Sequence, residues 1–75
     1  MLLSAFANVN APDNDGYTPL HVSAYKNAAD VAEMLLASKA NVNATAHDGT
    51  TPLRMARTQN AKAVADLLVL QGGHE

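Results

Sequence analysis

Apolar residues recur along the chain at the three- and four-residue spacing of amphipathic helices. In the stretch from residue 29 to residue 38 the apolar positions share one helical face, while Glu33 and Lys39 point away from it. The residues assigned to the inner face are Val31, Met34, Leu35 and Ser38. This spacing predicts a helix over 29–38, and the same pattern predicts one over 61–71, ended by the glycine pair that follows.

A turn sequence followed by Thr-Pro precedes each of these segments. In DNDG and AHDG the glycine can adopt the positive φ that other residues resist. The threonine hydroxyl can cap a helix, and proline suits the first helical position. We therefore predict two shorter helices, over 19–26 and 52–59. Asn27 and Asn60 end them, because asparagine tolerates a left-handed C-terminal position.

The two halves of the chain are copies of one unit offset by 33 residues. DGYTPLHVSAYKNAADVAEMLL from Asp15 aligns with DGTTPLRMARTQNAKAVADLLV from Asp48, and MLLSAFANVNA (1–11) aligns with MLLASKANVNA (34–44). Such a period is typical of stacked repeats, in which no unit buries its apolar face alone. We expect a single domain over 1–75, with the C-terminal part of a truncated repeat at 1–11, a full repeat at 12–44 and a capping-like repeat at 45–75.

The repeated Thr-Pro-Leu element, its single Thr-Pro-Leu-His form and the string ANVNA resemble the ankyrin repeat family. The resemblance implies an all-α solenoid of stacked helix-turn-helix pairs with projecting β-turn or hairpin loops. Small side chains then let helices approach, and larger ones fill the layers between them. The small ones are Ser23, Ala24 and Ala32, and the larger ones are Leu20, Val31, Leu35 and Leu36.

Departures from the family pattern concern the helix ends. The family usually has glycine at the four positions held here by Phe6, Asn27, Lys39 and Asn60. A left-handed backbone would cost about 1 kcal/mol at each of Phe6 and Lys39. The resemblance also gives His21 a structural role, tying adjacent turns together. The residues assigned structural roles are Thr18, Pro19, His21, Thr51 and Pro52.

The resemblance implies a non-catalytic protein–protein interaction module. Its variable contacts would lie at the turn tips and along the concave strip of the first helices. Both tyrosines of the chain fall on this strip, and tyrosine is enriched at interfaces. The predicted partner-binding residues are Asn14, Asp15, Tyr17, Tyr25, Lys26, His47, Asp48, Thr50, Thr58 and Gln59.

The two ends of the stack differ. Arg57, Gln59 and Lys62 make the last repeat polar, as a terminal repeat requires. Residues 1–7 offer about two turns of a second helix and no first helix, so we expect the first full repeat to be half covered. Either the chain is excised from a longer array, or it forms a homo-oligomer through its N-terminal face. The second possibility is the alternative function.

Composition and charge disfavour several classes of binding partner and of functional site. A net charge of −2 disfavours nucleic acid and anionic membranes, and the absence of cysteine removes disulfides and thiolate metal sites. His47 and His74 lack nearby ligand spacing, so we expect no metal. No nucleophile elbow, phosphate loop or pair of catalytic carboxylates is recognisable in the sequence, so we expect no cofactor and no enzymatic activity. No leader or membrane span is evident, which favours an intracellular protein, cytoplasmic or nuclear.

Asn43 has three interpretations. It begins a glycosylation sequon, NAT, and the resemblance raises hydroxylation of the asparagine in VNA. The favoured interpretation is a structural side chain that bonds across the turns.

Overall fold

The computed structural model describes residues 9–74 of the 75-residue chain. Within that range the chain forms four α-helices: α1 (Pro19–Tyr25), α2 (Ala29–Ala37), α3 (Pro52–Thr58) and α4 (Lys62–Leu70). Each predicted helix is present, and every helix end lies within one residue of the prediction. The expectations for residues 1–7, including the left-handed Phe6, fall outside the described residues.

The helices stack as two rows. The short helices α1 and α3 pack side by side, α2 packs on α4, and each short helix also contacts the longer helix that follows it. Leu20 and its repeat equivalent Leu53 lie in one continuous core. The other buried members of that core are Val9, Ala24, Ala32, Leu35, Ala56, Ala61, Val64 and Leu68. The all-α repeat architecture is confirmed.

All four helices end with the same backbone device. The residue after each C-cap is left-handed, with φ of 52° at Asn27, 57° at Asn60, 70° at Lys39 and 88° at Gly72. The next N–H then reaches back to a carbonyl five residues earlier, as Ala28 N–H does to Ser23 O at 2.9 Å. The predicted left-handed asparagines are confirmed, and Lys39 meets the condition under which its side chain costs stability.

The predicted inner face of α2 was partly wrong. Leu35 is buried, but Val31 is 42% exposed and Met34 46% exposed, and Ser38 is exposed as well. Val64, which occupies the equivalent of Val31 in the second repeat, is 0% exposed. Because the first repeat covers Val64, this position becomes buried when another unit packs against it, not through helix formation alone.

Helix length and composition also bear on membranes. None of the helices between residues 9 and 74 is long and apolar enough to cross a bilayer.

Candidate functional site

The first turn is held together by the side chain of Asp13. Its Oδ1 accepts hydrogen bonds from the N–H groups of Asp15 and Tyr17, each at 2.9 Å. The backbone closes on the same residue, since Gly16 N–H donates to Asp13 O at 3.0 Å. Gly16 has a φ of 86°, which suits glycine at this point of the turn.

The second turn is bonded directly to the first. His47 N–H donates to Asp15 O at 3.0 Å, and the Tyr17 hydroxyl donates to Asp48 Oδ2 at 3.1 Å. Gly16 faces the backbone of His47 so closely that a Cβ added there would lie 2.8 Å from the His47 nitrogen. The two turn tips therefore form one hydrogen-bonded edge, called the turn edge below.

His21 connects this edge to the helices. Its Nδ1 accepts the Thr18 N–H at 3.0 Å, and its Nε2 lies 2.7 Å from Thr50 O. Because a carbonyl only accepts and an N–H only donates, the imidazole carries its proton on Nε2. The Thr18 hydroxyl, 2.9 Å away, also donates to Nδ1. The ring is 1% exposed, so every polar atom of this buried side chain is used for structure.

A groove of about 270 Å³ opens between the first turn, α1 and α3. Tyr25 stands beside it with 58% of its surface exposed, and Met55 contributes from α3 while also packing against the core. Tyr17 meets the buried His21 ring edge-on, with centroids 5.4 Å apart. The residues lining the groove are Asp13, Tyr17, His21, Val22, Tyr25 and Met55.

Electrostatics at the turn edge follow from these bonds. Hydrogen bonds from the side chain and backbone N–H of Thr50 hold the pKa of Asp48 below its ordinary value. The hydrogen bond to Asp48 raises the pKa of Tyr17, since it stabilises the protonated phenol. Within residues 9–74 no three histidine, aspartate or glutamate side chains converge in a way that could hold a metal ion.

The predicted partner-binding residues separate into three groups. Tyr17 and Tyr25 line the groove. Those at the turn edge are Asn14, Asp15, His47, Asp48 and Thr50. The remaining three lie elsewhere: Lys26 borders a second groove toward the N-terminal face, Gln59 caps α3, and the Thr58 hydroxyl donates to Arg54 O of its own helix.

Three groove residues were missed by the sequence analysis: Asp13, Val22 and Met55. A signal for two of them was present. Val22 precedes Tyr25 by three positions and so shares its helical face, and Met55 is the equivalent of Val22 one repeat later. Asp13 has no such signal, because alanine stands at its equivalent position in the second turn.

Asparagine side chains also join the repeats in the segments that follow the longer helices or precede the turns. Asn10 Oδ1 accepts the Asn41 N–H at 2.6 Å, and one repeat later Asn43 Oδ1 accepts the His74 N–H at 3.0 Å. The Asn43 amide also donates to Gly72 O at 3.3 Å. Asn43 therefore has the contacts expected of a structural side chain, although it remains partly exposed.

Comparison with known proteins agrees with this geometry. The family model described as "Ankyrin repeats (many copies)" matches residues 2–56. The chain belongs to the ankyrin repeat family. Ankyrin repeat domain-containing protein 49 of Drosophila melanogaster is 67% identical over 27 residues, which make up 36% of this chain and 13% of that protein. Ankyrin repeats are generally protein–protein interaction modules and are typically non-catalytic.

Proposed function

We propose that this chain is a non-catalytic module that binds a protein partner through the groove and the adjoining turn edge. The observation that carries the proposal is the exposure of Tyr25, 58%, beside a groove whose walls are otherwise held by hydrogen bonds. A large aromatic side chain left accessible next to an apolar depression is typical of an interface anchor.

The bonds between the turns preorganise this edge for binding. Because the bonds from Tyr17, His21 and His47 already hold the walls, docking would require little further ordering of this chain. Preorganisation of this kind strengthens binding by reducing the entropy lost on association.

The size of the groove favours a protein side chain over a free small molecule. Its volume of about 270 Å³ lies below the roughly 300–1,000 Å³ of pockets that enclose drug-sized ligands. The groove is also open to solvent on the side of Tyr25. It therefore suits an apolar side chain projecting from a partner surface, and it offers no arrangement for catalysis.

The test is affinity capture with substitutions at two exposed positions. Tyr25→Ser changes the groove, while the control, Leu70→Ser, changes a residue on α4 that is 79% exposed. We expect proteins from an extract of the source cells to be retained by the parent and by Leu70→Ser and lost with Tyr25→Ser. Tyr17 is less suitable for truncation, because its hydroxyl also joins the turns.

Circular dichroism and thermal unfolding show whether the variants remain folded. If Tyr25→Ser keeps the parent's helicity and still retains the same proteins at the same affinity, the groove is not the binding site.

A second candidate function is self-association through the N-terminal face, and the exposed Val31 favours it. Val31 lies in an apolar groove with Pro12, Pro19 and Ala28, and the equivalent Val64 is fully buried by its neighbouring repeat. A second copy packed against this face would cover Val31 in the same way.

Sedimentation velocity distinguishes this candidate from partner binding. Val31→Lys would shift a concentration-dependent oligomer to monomer and leave capture through Tyr25 intact. Deletion of residues 1–7 would likewise break assembly while sparing the partner site. A parent chain that is a folded monomer throughout the micromolar range excludes self-association.

A further inference from the structure

Three aspartates lie in or beside the candidate binding groove. Asp13 lines the groove itself, while Asp15 and Asp48 line a depression of about 190 Å³ between the turn tips, together with Tyr17 and His47. All three carboxylates are exposed. Tyr17 borders both depressions, so the apolar groove and the acidic turn edge form one continuous surface.

The turn geometry leaves carboxylate oxygens available to a ligand. Both hydrogen bonds to Asp13 end on Oδ1, so Oδ2 can accept a further bond without disturbing the turn. Asp15 stabilises the second turn through its backbone carbonyl, and its side chain extends into solvent. Among residues 9–74, no lysine or arginine lines either depression.

We infer that the partner contributes an apolar side chain to the groove and a lysine or arginine to the acidic turn edge. The inference rests on the proposed function and specifies the chemistry of the partner at that same surface. An arginine guanidinium can donate to a carboxylate in a bidentate arrangement, and its charge complements the three aspartates.

The same charges disfavour other classes of ligand. An acidic peptide, or the phosphates of a nucleic acid, would meet like charges at Asp13, Asp15 and Asp48. Exposed ion pairs each contribute modestly, so specificity would come from the combination with the apolar anchor. The expected effect is a change of about three- to tenfold in affinity, with a clear dependence on salt.

The experiment is selection of random displayed peptides on the full chain, followed by affinity measurement of the selected sequences as synthetic peptides. The test variant Asp13→Asn with Asp15→Asn removes two charges and keeps the amide oxygen at position 13 as an acceptor. The control variant Glu33→Gln with Asp66→Asn removes two charges from exposed positions on α2 and α4. Binding of each peptide to the Tyr25→Ser variant shows whether the peptide depends on the groove.

We expect selected peptides to carry a basic residue near an apolar one. Their affinity should fall about three- to tenfold with the turn variant, remain unchanged with the control, and weaken as salt rises. Peptides that need Tyr25 but show no basic residue, or an acidic one, would overturn the inference and leave the proposed function standing. The absence of any peptide dependent on Tyr25 would overturn both.

Discussion

Lys39 occupies a backbone conformation that favours glycine. Its φ is 70°, and the equivalent residue one repeat later is Gly72, with φ 88°. In the left-handed region a Cβ crowds the backbone, at about 1 kcal/mol for a residue other than glycine. The helix ends of the two repeats therefore share a geometry but differ in local strain.

Replacing Lys39 with glycine should stabilise the chain. We expect Lys39→Gly to raise the free energy of unfolding by about 1 kcal/mol, measured by urea denaturation. Lys39→Ala is the matched control, since it removes the long side chain and keeps the Cβ. Equal stabilisation by both variants would show that the side chain, and not the backbone, is responsible.

Alanine substitutions at Gly16 and Gly49 distinguish the cost of backbone strain from the cost of disturbing the contact between the turns. Their φ values are 86° and 85°, but a Cβ on Gly16 would strike His47, whereas a Cβ on Gly49 meets nothing within 4 Å. We expect Gly49→Ala to destabilise by about 1 kcal/mol and Gly16→Ala by a further 1–3 kcal/mol or so. Thermal and urea unfolding measure both. Equal losses would mean that the turns do not approach as closely as described.

Among the elements, the two turns and the short helices act as one unit because hydrogen bonds join them at three levels. The His47 N–H donates to the first turn, the Tyr17 hydroxyl donates to Asp48 of the second turn, and the His21 ring of α1 donates to the carbonyl of Thr50. Each partner comes from the other repeat, so the bonds form when the repeats stack. Because Tyr17 and Asp48 are titratable and bond across the repeats, charge and folding are coupled at this edge.

Stability should depend on pH through Asp48 and Tyr17 in opposite directions. Folding lowers the pKa of Asp48 from its ordinary value of 3.8. The stabilisation that Asp48 gives to the folded state is therefore present above pH 3.8 and is lost as pH falls through the folded pKa. The folded pKa of Tyr17 is raised from 10.0, so its contribution is present below pH 10.0 and lost as pH rises through the folded pKa.

Urea unfolding measured over a range of pH tests both predicted pH dependences. The stability difference between the parent and Asp48→Asn should shrink in acid, and that between the parent and Tyr17→Phe should shrink in alkali. A difference that stays constant across the relevant titration would contradict the assigned hydrogen bond.

In the whole molecule, burial at this helix position depends on having a preceding repeat to pack against. Val31 and Val64 occupy equivalent places on α2 and α4, yet one is 42% exposed and the other 0%. Their local sequences both favour helix. The difference arises because α4 packs against the preceding repeat, while Val31 lies in the groove at the N-terminal face.

Alanine substitutions at Val64 and Val31 should lower the free energy of unfolding by unequal amounts. Val64→Ala removes two buried carbons and leaves a cavity, at about 2 kcal/mol, whereas Val31→Ala should cost less than about 1 kcal/mol. Both are measured as free energies of unfolding at low protein concentration. If the free energy of unfolding lost through Val31→Ala increases at higher protein concentration, a second copy covers that face.

The helices and turns were predictable because their signals are local. Thr-Pro, the turn glycines and the left-handed asparagines each act over a few residues, and the period of 33 showed which segments are equivalent. The candidate site was predicted in part. Tyr17 and Tyr25 came from the family pattern, whereas Asp13 and Met55 join them only because two turns and two helices meet at the groove.

Local chemistry along the chain thus establishes the helical pairs, their ends and the repeat. It does not establish which side of each helix is covered, because that depends on residues 33 positions away in the neighbouring unit. Stacking buries Val64, leaves Val31 exposed and brings the Tyr17 hydroxyl to Asp48. The candidate binding groove is therefore a property of the packed repeats, since its walls come from both of them.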